Sequence, residues 1–180
     1  MIPGKDRCVK IANRALLVMD VQHYFFSISS PAYLKGSGMI LPVIEQLVQS
    51  FKEHSSLVIG TIHTGGNAKM EEWWGHTVQE KWAIPMIKDI PIIRKTTYDA
   101  FVDTDLEAIL KKNAIQQLFI AGAMTHLCCE TTARTGFVKG YDIVMLKDAC
   151  VSKNEQYHEY SLHNLAHGVA SVIESQDIQW

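Results

Sequence analysis

Four polar side chains that are able to do nucleophilic or acid–base chemistry stand close behind short apolar runs. Asp20, His63 and Lys95 each directly follow such a run, and Cys128 comes shortly after a run that breaks at Gly122. A thiol, a carboxylate and an amine suit acyl transfer, because a thiolate can attack a carbonyl while the carboxylate moves the proton. The spacing alone leaves another interpretation open: a buried cysteine is often only a small apolar residue, and a charge at a strand end is often solvated.

Cys128 lies in the first turn of a helix that we predict over residues 125–139, with Thr125 as its N-cap. Free backbone N–H groups and the positive end of the helix dipole favour a thiolate, so we expect a lowered pKa for Cys128. A nearby Lys95 would lower that pKa further. Asp20 can act as the general base if it lies within hydrogen-bond reach of the sulfur.

Apolar runs alternate with amphipathic stretches and predict the elements that position these groups. Buried strands are predicted at 14–20, 56–62, 90–94, 117–121 and 141–146, with a further strand near 169–173. Helices are predicted around 40–51, after a Thr104–Glu107 capping box, over 125–139 and near 157–169. Residues 64–90 are predicted to form an irregular insertion.

This alternation predicts an α/β fold: a single domain over residues 1–180, three-layered and Rossmann-like, with a mostly parallel sheet and helices on both faces. Open sheets of this type bind ligands at the carboxyl ends of their strands. The four polar positions are therefore expected to converge on one edge.

Composition excludes several classes of protein. The chain of 180 residues is 47% hydrophobic and 20% charged, which excludes disordered and fibrous proteins. A net charge of -2 gives no general attraction to nucleic acid. No apolar run approaches the ~20 residues of a membrane helix. The first residues lack the apolar core of a secretory signal, and four cysteines are too few for a disulfide framework, so we expect a cytoplasmic location.

Three segments together resemble the signatures of a known family in order and spacing. They are Asp20-Val21-Gln22-x-x-Phe25-Phe26, Lys95-Thr96-Thr97-Tyr98-Asp99-Ala100-Phe101 and Gly122-Ala123-Met124-Thr125-His126-Leu127-Cys128. The chain resembles the isochorismatase-like cysteine hydrolases, which include nicotinamidases and N-carbamoylsarcosine amidases, and the likeness extends to residues 141–150. The resemblance implies Asp20 as base, Lys95 as orienting cation and Cys128 as nucleophile toward a small amide or carbamoyl substrate, without a cofactor.

The resemblance also implies a cis peptide bond between Ala123 and Met124. The backbone N–H groups of Met124 and Cys128 would then form an oxyanion hole. Cys129 lies about 100° further around the helix and cannot face the same site, so we predict that it faces the core. Cys8 and Cys150 are predicted to be structural.

The segment after the second strand departs from the nicotinamidase pattern. Nicotinamidases carry an Asp-x-His pair there and a later histidine to hold a metal, whereas this chain has Thr61-Ile62-His63 and, later, His76. Two imidazoles without a carboxylate make a poor closed site, although water can complete an open one. We therefore expect no bound metal and no strict nicotinamidase activity.

The candidate substrate-binding residues are Phe25, His63, Trp73, Trp74 and His126. Together with Trp82, the two tryptophans of the insertion either wall a pocket for a planar or apolar ligand or bury a subunit contact. The family resemblance implies a homo-oligomer, a dimer or tetramer, whose subunits complete the pocket.

Some residues keep two interpretations. His23 and Tyr24 either reach the substrate or cap the following loop, and His163 and His167 have metal-compatible spacing but no evident third ligand, which favours a packed or surface pair. Two further functions also stay open: vinyl-ether hydrolysis of isochorismate, and a non-catalytic binding or thiol-redox role. The prediction is a cofactor-independent cysteine hydrolase of a small molecule, without nucleic-acid or membrane partners.

Overall fold

A computed structural model of the protein describes residues 13–75, 81, 83 and 89–180. Its six strands form one sheet in the order β3-β2-β1-β4-β5-β6, and every neighbouring pair is parallel. The strands are β1 (Arg14–Met19), β2 (Leu57–His63), β3 (Ile92–Lys95), β4 (Gln117–Ala123), β5 (Asp142–Val151) and β6 (Ala170–Ile173).

The helices of the described residues connect these strands. They are α1 (His23–Phe26), α2 (Ser37–Glu53), α3 (Ala68–Trp74), α4 (Leu106–Lys112), α5 (Glu130–Val138) and α6 (Glu155–Ala166). A π-helical turn, Thr125–Cys129, precedes α5, and a short 3-10 turn, Ser175–Asp177, follows β6. None of the helices in these ranges has the length and apolar character needed to cross a bilayer.

Two apolar cores lie on opposite faces of the sheet, because successive strand residues point to opposite sides. Leu16 and Val18 of β1 pack on the α2 side with Phe51, while Leu17 packs on the other side with Leu110 of α4 and its neighbours from α5 and α6. This arrangement confirms the predicted three-layer α/β fold, with a sheet that is parallel throughout.

The strand ends bring the polar positions to one edge, as predicted. Asp20 follows β1, while His63 and Lys95 are the last residues of β2 and β3 and are partners in the sheet register. The π-helical turn follows β4, which neighbours β1 on its other side. Four adjacent strands therefore deliver their carboxyl ends to one region.

Gly122 joins β4 to β1 at this edge. Its φ is +120°, and a Cβ atom there would lie 2.1 Å from the carbonyl oxygen of Met19. Only glycine fits such a close backbone approach. The strand continues through Gly122 to Ala123, whereas the sequence predicted that it would end before the glycine.

Two local predictions were wrong. The capping box does not form: Thr104 Oγ1 accepts from the Leu106 backbone at 3.2 Å, whereas Glu107 pairs with Lys111 at 2.7 Å and Lys139 at 2.6 Å. Because Lys111 and Lys139 bind the Glu107 carboxylate, it is not available to accept the backbone hydrogen bond of a capping box.

The predicted irregular insertion contains a helix, α3. Its N-cap is Asn67, whose side chain accepts a hydrogen bond from the backbone N–H of Met70 at 3.0 Å. The predictions for Cys8, His76 and Trp82 lie outside the described residues.

Candidate active site

The structure brings Asp20, Lys95 and Cys128 together. Lys95 Nζ lies 2.7 Å from Asp20 Oδ2 and 3.2 Å from Cys128 Sγ. All three residues are buried, and the lysine and aspartate side chains are fully so. A charged pair and a thiol thus share one desolvated position, where electrostatic interactions are strong.

The two carboxylate oxygens of Asp20 have different surroundings. Oδ1 accepts a hydrogen bond of 2.6 Å from the Thr61 hydroxyl, and that hydroxyl in turn accepts from the Asp20 backbone N–H at 3.1 Å. Oδ2 faces Lys95 and has no other hydrogen-bond partner among the described residues. Sequence reasoning missed Thr61, although its place two residues before His63 on β2 puts both on one face of the sheet.

Lys95 is held by four acceptor groups. Besides Asp20 and Cys128, His63 Nδ1 lies 3.1 Å from Nζ and the carbonyl oxygen of Thr97 lies 3.0 Å away. Burial lowers the pKa of Lys95, but Asp20 and the Cys128 sulfur raise it by more, so the pKa lies above its ordinary value. The side chain is therefore an ammonium.

His63 is a neutral imidazole in this environment. Burial and the adjacent Lys95 lower its pKa to about 4, against a smaller opposing effect of Asp20. Because an ammonium only donates, Nδ1 of His63 is the unprotonated, accepting nitrogen of the ring.

Cys128 departs from the expected chemistry in one respect. Burial raises the pKa of its thiol to about 12, Lys95 lowers it by less, and Asp20 adds to the rise. The expected lowering was wrong, because the depth of the sulfur in the protein outweighs its cationic neighbour. The resting group is a thiol, and a base is needed to remove its proton.

The start of the helix also differs from the prediction. Thr125 does not cap it, because its hydroxyl is 2.9 Å from His158 Nδ1 and the chain begins with a π-helical turn instead. The Ala123–Met124 peptide bond is cis, as expected. Cys129 is buried in the core with Cys150, which confirms its predicted orientation.

A cavity of about 320 Å³ opens over Cys128. Its walls are largely aromatic and apolar, with two histidines, and the lining residues are Tyr24, Phe25, Pro31, Ala32, Leu34, His63, Gly65, Met70, Glu71, Trp74, Tyr98, Met124, His126, Cys128, Lys153 and Tyr157. A concave, mostly apolar site with a few convergent polar groups is typical of small-molecule binding.

Four of the five predicted substrate-binding residues line this cavity: Phe25, His63, Trp74 and His126. Trp73 does not, and its side chain is 82% exposed. The two tryptophans are consecutive in α3, so they point about 100° apart and only one can face the cavity.

Hydrogen bonds fix the cavity walls. Trp74 Nε1 donates to the Tyr98 hydroxyl at 2.8 Å, and His126 Nδ1 lies 2.6 Å from the Ser152 hydroxyl. Sequence reasoning did not single out Tyr98, although it stands inside the second resembling segment, and it gave no signal for Tyr157, whose ring lies 4.8 Å from that of His126.

The positions of four further residues separate the two interpretations that each pair had. Tyr24 lines the cavity, whereas His23 does not. His163 and His167 are exposed on and just after α6, as a surface pair.

Comparison with known proteins defines the class of this chain. The isochorismatase domain matches residues 14–177, so the chain belongs to the isochorismatase family and is a hydrolase of that family. Nicotinamidase 3 of Arabidopsis thaliana is 31% identical over 189 residues, covering 97% of this chain and 90% of that protein.

Solved structures share the fold. The nicotinamidase/pyrazinamidase PncA of Bacillus subtilis superposes with a TM-score of 0.81 at 26% identity, covering 90% of this chain and 100% of that one. The pyrazinamidase of Pyrococcus horikoshii, solved in complex with zinc, gives a TM-score of 0.81 at 22% identity, covering 90% and 99%.

The described residues of this site do not fit a metal ion. Asp20, His63 and Cys128 present ligand atoms within 4.8 Å of one another, but the Lys95 ammonium contacts all three groups. A divalent cation among them would meet that positive charge at close range. The Thr61 hydroxyl is engaged as well, since it donates to Asp20 Oδ1 at 2.6 Å.

Proposed function

We propose that the chain hydrolyses a small carboxamide or carbamoyl compound through a thioester on Cys128. The observation that carries this proposal is the contact of one ammonium, Lys95, with both the Asp20 carboxylate and the Cys128 sulfur at the cavity floor. Amide hydrolysis is also consistent with the nicotinamidase relative.

In the first half of the reaction, Asp20 Oδ2 takes the proton of the Cys128 thiol and the sulfur attacks the carbonyl carbon. Lys95 offsets the negative charge on the sulfur as it develops. The carbon–nitrogen bond then breaks, and the proton passes from Asp20 to the leaving nitrogen. The products of this half are ammonia, or an amine, and a thioester.

In the second half, water attacks the thioester while Asp20 accepts one of its protons. The carbon–sulfur bond breaks, the proton returns to the sulfur, and a carboxylic or carbamic acid leaves. One water is consumed for each amide bond cleaved, and no redox partner is required.

The negatively charged oxygen of each tetrahedral intermediate needs donors. We propose the backbone N–H groups of Met124 and Cys128 for this role, since Met124 lines the cavity beside the sulfur. One such donor is typically worth about 3–4 kcal/mol of transition-state stabilisation.

The walls suit a neutral and partly planar substrate. We propose that Phe25 and Trp74 contact its apolar surface while His63 and His126 offer polar contacts. The cavity of about 320 Å³ holds a small molecule and excludes a folded polypeptide.

The test is an ammonia-release screen over small carboxamides, ureido acids and carbamoyl compounds. Cys128→Ala is expected to abolish turnover while the protein stays folded, because alanine is a good helix former. Cys129→Ala, which removes the neighbouring core thiol, is the matched control and is expected to keep its activity.

Three results contradict the proposal. Full activity of Cys128→Ala removes the covalent step. Release of pyruvate from isochorismate without amide cleavage assigns vinyl-ether hydrolysis instead. Reversible oxidation of Cys128 with no turnover of any amide assigns a thiol-redox role.

We also propose that the enzyme works in the cytoplasm as a homo-oligomer, without a cofactor, nucleic acid or membrane. Cys128, Cys129 and Cys150 are all free thiols, which suits a reducing compartment. Exposed apolar side chains, such as Trp73 and Ile28, support association between copies.

A further inference from the structure

Two residues of β2 touch the charged centre without taking part in the proposed thioester chemistry. Thr61 and His63 are both buried and lie on the same face of the strand. Thr61 contacts Asp20, and His63 contacts Lys95. One strand thus supports both members of the ion pair.

The contact from Thr61 makes the two oxygens of Asp20 inequivalent. Its hydroxyl proton is committed to Oδ1 at 2.6 Å, and its oxygen accepts the Asp20 backbone N–H. The carboxylate is thereby fixed in rotation about its last bond. Oδ2, the oxygen on the side of Lys95, is left to receive the thiol proton.

The contact from His63 matters because Lys95 has fewer N–H donors than neighbouring acceptors. An ammonium has three N–H groups, but four acceptors surround Nζ: Asp20 Oδ2, Thr97 O, His63 Nδ1 and Cys128 Sγ. A protonated thiol is a weak acceptor, so the third N–H belongs to the imidazole in the resting state. A thiolate is a far stronger acceptor and draws that N–H once the proton has moved.

We propose that Thr61 and His63 are positioning residues, Thr61 by directing the thiol proton to one oxygen of Asp20 and His63 by holding one N–H of Lys95 until the thiolate forms. This inference rests on the proposed function. Neither residue bonds to the substrate carbon in this role. Both act through a neighbouring charged group.

Two pairs of variants test the proposal, each with a matched control. Thr61→Val removes the hydroxyl at nearly constant volume, and Thr61→Ser restores it. His63→Phe keeps a ring but loses the acceptor, and His63→Asn restores an acceptor near the position of Nδ1. Should Thr61→Val fail to fold, Thr61→Ala removes the same hydroxyl and takes its place.

The first readout is steady-state kinetics on the best amide from the screen. We expect kcat to fall by about 10- to 100-fold in Thr61→Val and His63→Phe, since small misplacements of reacting groups cost this much. KM of Thr61→Val is expected to stay within about threefold, and Thr61→Ser and His63→Asn are expected to recover most of kcat.

The second readout is the rate of Cys128 alkylation by iodoacetamide at neutral pH, resolved by mass spectrometry of the modified peptide. It needs no amide substrate, and we expect the same order among the variants. Equal rates and equal kcat in each pair overturn the inference, as does a change confined to KM in Thr61→Val. An active Cys128→Ala variant contradicts the proposed function instead. Failure of the positioning role can therefore be distinguished from failure of the proposed function.

Discussion

At the scale of single residues, His63 is the group whose charge state depends most directly on the fold. Burial and Lys95 lower its pKa from 6.5 to about 4, so the folded protein resists protonation that the unfolded chain accepts. This difference stabilises the fold above pH 6.5, and the stabilisation is lost as the pH falls toward 4.

We therefore predict that the free energy of unfolding decreases by about 2 kcal/mol between pH 7.5 and pH 5 because of His63. Urea denaturation at the two pH values measures this decrease. His63→Asn, which cannot titrate, is the control, since all other groups titrate alike in both proteins. An identical pH dependence in the two proteins contradicts the prediction.

The convergence of Asp20, Lys95 and Cys128 could be predicted from the sequence, but the electrostatics of these groups could not. Asp20, Lys95 and Cys128 each follow an apolar run, and parallel strands carry such positions to a common edge. The pKa of Cys128 was predicted in the wrong direction, because residue order does not reveal how deeply a sulfur is buried. Thr61 was missed because its bond to Asp20 depends on the register between two strands.

At the scale of elements, the junction between β1 and β4 is a close backbone contact near the site. Gly122 has a positive φ, and the atoms nearest to a Cβ there all belong to the Met19 backbone. Backbone atoms in paired strands cannot shift without breaking the sheet. The residues that follow Gly122 carry Cys128 to its place over the sheet edge.

We predict that Gly122→Ala destabilises the protein by about 3 kcal/mol or more, from overpacking and an unfavourable φ together. Gly136→Ala is the matched control, because its Cβ would meet the flexible tip of Ile143 at 2.9 Å. The control is expected to change stability by about 1 kcal/mol at most. Denaturant midpoints compare the two, and equal midpoints would show that the junction tolerates a side chain.

The elements themselves were predicted unevenly, for physical reasons. Continuous apolar runs marked the buried strands, because both faces of a covered parallel sheet are dry. A local polar pattern gave a wrong prediction at Glu107, which bonds to Lys111 and Lys139 rather than capping a helix. A motif of four residues cannot include Lys139, because that lysine lies 32 residues further along the chain. The helix α3 was missed because its residues are largely exposed and give no apolar periodicity.

At the scale of the whole molecule, the two interpretations of the insertion tryptophans, a pocket wall and a subunit contact, apply to different residues. Trp74 faces the cavity and bonds to Tyr98, whereas Trp73 is 82% exposed. Tryptophan is enriched in protein interfaces relative to the rest of the surface. We therefore propose a subunit contact for Trp73.

We predict that the protein in solution is an oligomer, with a mass at least twice the 20.3 kDa of one chain, and that Trp73→Ser lowers this mass. Light scattering after size exclusion measures both. Val138→Ser is the control, because Val138 is equally exposed at 84% but belongs to α5, which contributes no residue to the cavity lining. A wild-type monomer, or a Trp73→Ser protein of unchanged mass, contradicts the prediction.

The pairing of Asp20 with Lys95 has a consequence for turnover. As a pair they contribute no net charge, so a neutral amide, the substrate class proposed above, meets no net charge from these two groups. The acid that the proposed reaction makes ionises at physiological pH, and the cation beside Cys128, Lys95, is already engaged by a carboxylate. On the proposed function, the carboxylate product therefore gains no unpaired cation from Asp20 and Lys95, and these paired charges hold it no more tightly than the neutral substrate.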